Sequence, residues 1–181
     1  MCSSDLYALR GMFEQYLNIA PNAKLEAFDH IAPTDYSRDG WLDMRISAAH
    51  YASGGDGRCV FKLPMMRHPM SRTFIPDLLY NFSGGERKYP LSLRATRLVR
   101  YEETINLPPG WTVVEAPEAC SFDSPSASID FQITPGEGEL TYRFEFVLKD
   151  HVIPAEHYEG FKKAVDMMHD IADAWVLCTA P

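Results

Sequence analysis

The chain has 181 residues, of which 46% are hydrophobic and 23% charged, as in folded globular proteins rather than disordered ones. Its 25 acidic and 17 basic residues give a net charge of -8, which argues against nucleic acid or an anionic membrane as the main partner. No apolar run approaches the roughly 20 residues that a membrane-spanning helix needs. A chain of this length can bury a hydrophobic core without the help of metals or disulfides.

The first six residues, Met-Cys-Ser-Ser-Asp-Leu, match the translation of the end of a widely used sequencing adapter, read from a GTG start. We therefore predict that residues 1–6 are an artefact and that the natural protein extends upstream. The alternative is a natural N-terminus in which Ser4 or Asp5 caps a helix.

The first half of the chain predicts one helix and several strands. Apolar residues at helical spacing predict an amphipathic helix over 6–17, ended by Pro21. Alternation of apolar and polar residues predicts strands next. In chain order these are a strand at 24–31, a strand at 41–51, a turn at 53–57 and its return strand at 58–63. The segment 64–82 is interpreted as irregular, with methionines and leucines that plug an edge of the core.

The second half predicts further strands and one longer helix. The strand-like segments are 91–107 with a bend, 111–115, an edge or loop at 116–121, and a hairpin of 128–134 with 140–149. Pro154 begins a helix that ends near Asp173, because proline suits the first helical turn, and a short strand at 175–177 follows. The fold class predicted is mainly β (α+β), an antiparallel β-sandwich-like domain or domains with an N-terminal and a C-terminal helix.

Three domains or segments are predicted from these elements. Residues 1–22 hold the adapter artefact and a linker helix, residues 23–82 hold a β-hairpin region with a connecting segment, and residues 83–181 form a C-terminal β-domain.

The cysteines give no pattern typical of metal binding. Without Cys2, three scattered cysteines remain, at 59, 120 and 178, with no zinc spacing. Buried thiols are favoured, and a disulfide between Cys59 and Cys120 is the alternative in an oxidising compartment. Cys59 with His50 or His68 is a possible nucleophile pair, but its strand context favours a packing cysteine.

Two sets of carboxylates are candidates for chemistry. Helical spacing places four residues on one face, where they could hold a divalent metal: Asp166, His169, Asp170 and Asp173. A solvated acidic face is the favoured interpretation. Glu102 and Glu103 are neighbours in a strand, so they point to opposite faces and cannot share a proton. The sequence therefore predicts no catalytic residue, no cofactor and no metal.

Three short motifs follow one another in a recognisable order. They are Arg87-Lys88-Tyr89-Pro90-Leu91, then Leu107-Pro108-Pro109-Gly110-Trp111, then a stretch from Ile153-Pro154 through Tyr158 to Phe161. In this order they resemble the C-terminal β-domain (DUF3858) of certain bacterial proteins. Those proteins begin with a β-sandwich domain (DUF3857) and continue with a papain-like transglutaminase core.

The resemblance implies structural roles for the motif residues. Tyr89 and Trp111 would be core aromatics, Pro108 to Gly110 a rigid turn, and Tyr158 with Phe161 the helix face that docks on the sheet. The Cys-His-Asp triad of those proteins lies upstream, and no residue here matches its motifs. The resemblance thus implies a non-catalytic accessory domain whose partners are the upstream transglutaminase-like and N-terminal β domains of the same polypeptide. It also implies the periplasm or cell envelope, with a signal peptide in the missing N-terminal part.

Two other functions remain open at this point. One is a free-standing cell-envelope module that binds glycan or peptide through exposed aromatics such as Trp41 or Tyr101. The other is a metal-dependent enzyme that uses the acidic face around His169. If an upstream domain is missing, an apolar patch should be exposed, contributed by Met12, Phe13 and Tyr16 or by Met65, Met66 and Met70.

Overall fold

The computed structural model describes residues 20, 22–31, 37, 41–67 and 87–181. The predicted helix at 6–17 and its patch residues lie outside the described residues, as do Met70 and most of the irregular segment. Contacts divide the chain into two compact units. The first is residues 1–51 with 68–70, and the second is residues 52–67 with 71–181.

The described part of the first unit contains a two-stranded antiparallel sheet. Strand β1 (Ala23–His30) pairs with β2 (Leu42–Ala48), and the register shifts between Leu25 and Ala27. The Ile31 N–H donates to the Trp41 carbonyl at 3.2 Å, which continues the pairing beyond the strand ends. Both strands lie where the alternating pattern predicts them.

The second unit begins with a tight hairpin. Strand β3 (Ser53–Gly55) pairs with β4 (Arg58–Phe61) around Asp56 and Gly57, which both have positive φ. An Asp-Gly pair with positive φ at both residues is typical of the turns that suit the twist of a hairpin. The predicted turn at 53–57 is therefore too long, because its first three residues are a strand.

The remaining strands of the second unit complete an antiparallel β architecture. They are β5 (Leu91–Ser92), β6 (Arg97–Asn106), β7 (Thr112–Glu115), β8 (Cys120–Asp123), β9 (Ala127–Pro135), β10 (Glu139–Leu148), β11 (Val152–Ile153) and β12 (Val176–Thr179). One sheet has the order β6-β10-β9-β8, another has the order β3-β4-β12-β7, and β5 pairs with β11. The break at residues 93–96 between β5 and β6 is the predicted bend.

The pairing of β4 differs from the sequence prediction. The strand at 58–63 was predicted to return along the strand at 41–51, but β4 pairs with β3 and with β12 near the C-terminus. That prediction is wrong because a strand's alternation shows its two faces and not its neighbour.

The described residues contain a short and a longer α-helix. Helix α1 (Pro64–Arg67) is a single turn, and a 3-10 turn at Ala155–His157 leads into α2 (Tyr158–Asp173). Buried side chains recur along one face of α2: Tyr158, Phe161, Ala164, Val165, Met168 and Ile171. Among the described residues, no helix is long and apolar enough to cross a membrane.

The core of the second unit is aromatic. On β9 and β10, alternate residues point inward and are almost fully buried: Ile129, Phe131, Leu140, Tyr142, Phe144, Phe146 and Leu148. Strand β10 lies between β6 and β9, so its inward side chains have neighbours on both sides. The structure is mainly antiparallel β with helices, as the fold class predicts.

Candidate functional site

The first and third sequence motifs meet in the structure. The Arg87 guanidinium lies over the Tyr158 ring, 4.9 Å from its centroid. Tyr158 and Phe161 are 2% and 0% exposed, and their ring centroids are 6.3 Å apart. A cation above an aromatic face is attracted by the ring quadrupole. This cation–π contact therefore links the segment before β5 to the start of α2.

Tyr89 does not join this cluster. Its side chain is 78% exposed, so the expectation that it is a core aromatic is wrong. Residues 88 and 89 form a bend before β5 rather than part of a strand. Pro90 follows this bend, directly before β5.

The second motif forms the predicted turn. The Trp111 N–H donates to the Pro108 carbonyl at 3.1 Å, and Gly110 has a φ of 80°. Proline at the second position and a glycine with positive φ at the third are typical of a type II turn. Trp111 is only partly buried, so its predicted role as a core aromatic is not what the structure shows.

The third motif starts the C-terminal helix. Pro154 is extended, with φ -55° and ψ 151°, and its carbonyl accepts the His157 N–H at 3.0 Å. The proline thus precedes the 3-10 turn, four residues before α2 begins. Among the motif residues, Tyr158 and Phe161 pack in the core, whereas Pro108 to Gly110 are exposed and form a turn.

The acidic face of α2 is engaged with lysines. Asp166 is paired with Lys162 one turn earlier, and Asp173 with Lys62 at 2.8 Å. Asp166, Asp170 and Asp173 are exposed. No group of histidine, cysteine and carboxylate residues in the described part of the chain could hold a metal ion. The arrangement matches the interpretation of a solvated face.

The positions of the cysteines do not fit the alternative of a disulfide between Cys59 and Cys120. Cys59 on β4 lies directly opposite Cys178 on β12, whereas Cys120 lies on β8 in another sheet. All three are free thiols. Cys178 is 0% exposed and the other two are partly exposed, so only Cys178 is fully the buried thiol that was predicted.

A partly buried carboxylate lies on the inner face of the β6–β10 pair. The Tyr142 hydroxyl donates to Glu103, which lies directly opposite, and the Met65 N–H donates to the same oxygen at 3.3 Å. Burial raises the pKa of Glu103, and the two hydrogen bonds oppose that shift. Glu102, its neighbour, is exposed, as the prediction of opposite faces requires.

Tyr101 belongs to the same inner face. It is 9% exposed and stacks on Phe144 with a centroid distance of 5.8 Å. The expectation that Tyr101 is an exposed ligand-binding aromatic is therefore wrong. Its hydroxyl has no hydrogen-bond partner in the described part of the chain, and burial raises its pKa.

Replacing Glu103 with glutamine should change how stability depends on pH. The folded state binds the Glu103 proton more tightly than the unfolded state, so this group stabilises the fold at low pH. That contribution is lost as the pH rises from the ordinary value of 4.5 through the raised pKa. In urea unfolding between pH 4.5 and 7, the wild type should gain stability relative to Glu103→Gln as the pH falls. Glu102→Gln, the exposed neighbour, is the matched control, and parallel curves for the wild type and Glu103→Gln would contradict the assignment.

The other face of the β4–β12 pair is partly open to solvent. It is formed by Val60 and Leu177, which are cross-strand partners, with Lys62 and Trp175 beside them. The Lys62 ammonium lies 5.0 Å from the Trp175 ring centroid, and the tryptophan remains 56% exposed. We call these four residues the Trp175 face. The face was not predicted from the sequence, although alternation at residues 175 and 177 places both side chains on one face.

Comparison with known proteins places this fold in a family. The family model "Domain of Unknown Function with solved-structure structure (DUF3858)" matches residues 67–177, which is more than half of the chain. The chain belongs to the DUF3858 family. This confirms the DUF3858 part of the resemblance.

A solved structure is similar to part of the chain. It is the crystal structure of a "putative protease" from Parabacteroides distasonis, with 13% sequence identity and a TM-score of 0.56. The similarity covers 68% of this chain and 24% of that chain, so it spans about a quarter of that protein's length. At this identity the likeness shows the fold alone. No curated protein matches the chain.

The DUF3858 unit of this protein is larger than the matched segment. Strands β3 and β4 precede residue 67, yet they share a sheet with β12 and β7. The Trp175 face and the cysteine pair both lie where these earlier strands meet the end of the domain.

Proposed function

We propose that this DUF3858 domain is a non-catalytic accessory β-domain of a bacterial transglutaminase-like, papain-fold protein. It would pack against the catalytic core and the N-terminal DUF3857-like domain of the same polypeptide, in the periplasm or cell envelope. The observation that carries the proposal is the use of the family motifs. Arg87 stacks on Tyr158, Pro108 to Gly110 form a turn, and Phe161 fills the core, so the motif contacts serve packing.

The Trp175 face is the surface we assign to docking on the catalytic core. A tryptophan that is 56% exposed beside two partly buried aliphatic residues favours contact with a protein surface. Lys62 holds one side of the ring and is itself paired with Asp173, so the indole is already positioned. Most of the similar solved chain lies outside the part that resembles this one, which fits a domain that works beside larger neighbours.

The first test is to sequence the source DNA upstream of Leu6. An open frame that encodes a transglutaminase-like core with a Cys-His-Asp triad is expected. A stop codon and a ribosome-binding site just before Met1 would overturn the proposal. Residues 1–181 alone should show no amine incorporation into casein and no casein hydrolysis. Clear turnover that is lost in Cys59→Ala would also contradict an accessory role.

The docking surface is tested in the full-length protein. Trp175→Ala should speed limited proteolysis between the catalytic core and the DUF3858 domain by about fivefold, because the loss of a buried aromatic anchor at an interface costs more than about 1 kcal/mol. Tyr89→Ala, which removes an exposed aromatic outside this face, is the matched control. Equal cleavage rates for the two variants would rule out docking through Trp175.

The alternative is a free-standing cell-envelope module that binds glycan or peptide. The observation that favours it is the exposure of Trp41 and Trp175, at 46% and 56%. Aromatic side chains can supply rigid contact area for such ligands. Saturable quenching of tryptophan fluorescence by cell-wall fragments would support this function. If tryptophan fluorescence does not change up to millimolar ligand, the binding function is excluded and the accessory role is favoured.

A further inference from the structure

Cys59 and Cys178 lie opposite each other on neighbouring antiparallel strands. Such partners have Cα atoms about 4.5 or 5.5 Å apart, depending on the type of pair. Both separations fall within the range of roughly 4.4–6.8 Å that disulfides require. Directly opposite residues on paired strands project their side chains to the same face of the sheet, so the two thiols lie side by side.

The surroundings give the two cysteines different roles. Cys178 is 0% exposed, and burial, with a smaller effect from Cys59, raises the pKa of its thiol to about 11. Cys59 is partly exposed. Its partner on the edge strand β3 is Gly54, which offers no side chain to cover it. A Cβ at Gly54 would lie 2.7 Å from the Cys59 Cα, so the position admits only glycine. Reagents therefore reach Cys59 first.

We propose that Cys59 and Cys178 are a reversible redox pair that closes a cross-strand disulfide by exchange with a low-molecular-weight disulfide. The inference goes beyond the accessory role proposed above and does not depend on it. Closure would join β4, which precedes the family-matched segment, to β12 at its end. The bond would thereby cross-link the two central strands of the sheet β3-β4-β12-β7. It would also close a loop from residue 59 to residue 178.

The exchange has two steps. The Cys59 thiolate attacks one sulfur of oxidised glutathione, so that a mixed disulfide forms and one glutathione thiolate leaves. The Cys178 thiolate then attacks the Cys59 Sγ, which forms the protein disulfide and releases the second glutathione thiolate. The cysteines lose two protons and two electrons, and the electrons reduce oxidised glutathione to two thiols.

The test compares the chain in oxidised glutathione and in a reducing phosphine. Peptide mapping without reduction should show a Cys59–Cys178 link that disappears after reduction. The Tm of the oxidised form should be higher by on the order of 10 °C, because a disulfide that closes a long loop restricts the unfolded chain strongly. Cys120→Ala, a partly buried cysteine in another sheet, is the matched control and should keep the whole shift.

Cys59→Ala should abolish the link and the shift. The wild-type comparison between the two redox states stands even if this variant is less stable. Three results would overturn the proposal: an equal Tm in both states with no linked peptide, a persistent Cys59–glutathione adduct, or a link from Cys59 to Cys2 or Cys120.

Discussion

Replacing Phe144 with alanine should lower the free energy of unfolding by about 3–5 kcal/mol. The ring is 0% exposed and lies on β10, the strand between β6 and β9. Phe131 is its partner on one side and Tyr101 on the other, where the two rings stack at 5.8 Å. Alanine would remove the apolar contacts and leave a cavity that strands paired on both sides cannot easily close.

Urea unfolding of the wild type and the variant measures this loss directly. Phe122→Ala is the matched control, because Phe122 is only partly buried on the edge strand β8, under Lys163. It should cost about 1 kcal/mol, through its smaller buried area and the lost cation–π contact. If the two variants lost the same free energy, Phe144 could not be at the centre of the core.

The core strands could be predicted from sequence because their signal is local. On β10, Tyr142, Phe144 and Phe146 alternate with Arg143 and Glu145, and the structure buries the aromatic set. The Asp-Gly turn and the helix after Pro154 also depend on neighbouring residues alone. Where backbone preference and side-chain pattern agree over a few residues, the element follows.

Which strands pair with each other could not be predicted from local sequence. The strand at 58–61 alternates in the same manner whether it pairs with β2 or with β12. Its neighbour is determined by contacts with residues more than a hundred positions away. The cysteine pair was missed for the same reason, because Cys59 and Cys178 become neighbours only once β12 is placed.

The positions of Tyr101 and Glu103 on the inner face were missed for a different reason. Alternation along β6 places Val99, Tyr101, Glu103 and Ile105 on one face. The apolar members indicate that this face is the inner one, which would have turned Tyr101 inward. A carboxylate on that face contradicts the usual expectation that charged groups meet water. Only the Tyr142 hydroxyl and the Met65 N–H, both supplied by other segments, explain Glu103 there.

Replacing Gly160 with alanine should destabilise the protein, although alanine is the better helix former by about 1 kcal/mol. Gly160 is the third residue of α2 and packs against the loop between β8 and β9. An added Cβ would lie 2.8 Å from the Ser124 Cβ and 3.2 Å from its Oγ. Overpacking of this kind typically costs about 1–3 kcal/mol.

Ser124 cannot easily move away from the new methyl group. Its Oγ donates to the Ala127 carbonyl at 2.8 Å and accepts the Ala127 N–H at 3.2 Å. Its own N–H donates to the same carbonyl at 2.9 Å, and the side chain is buried. The helix must therefore shift away from β8 and β9, and it takes Phe161, the next residue, with it. The loss of packing around Phe161 should exceed the gain in helix propensity.

A double-mutant cycle in urea isolates this contact. Ser124→Gly removes the Cβ that clashes but also loses two hydrogen bonds, so it should be destabilising alone. In the Gly160→Ala background it should cost less by about 1 kcal/mol or more, because it relieves the overlap. Gly55→Ala serves as the control for glycine replacement, since nothing lies within 4 Å of its added Cβ. Strict additivity of Gly160→Ala and Ser124→Gly would show that α2 does not rest on Ser124.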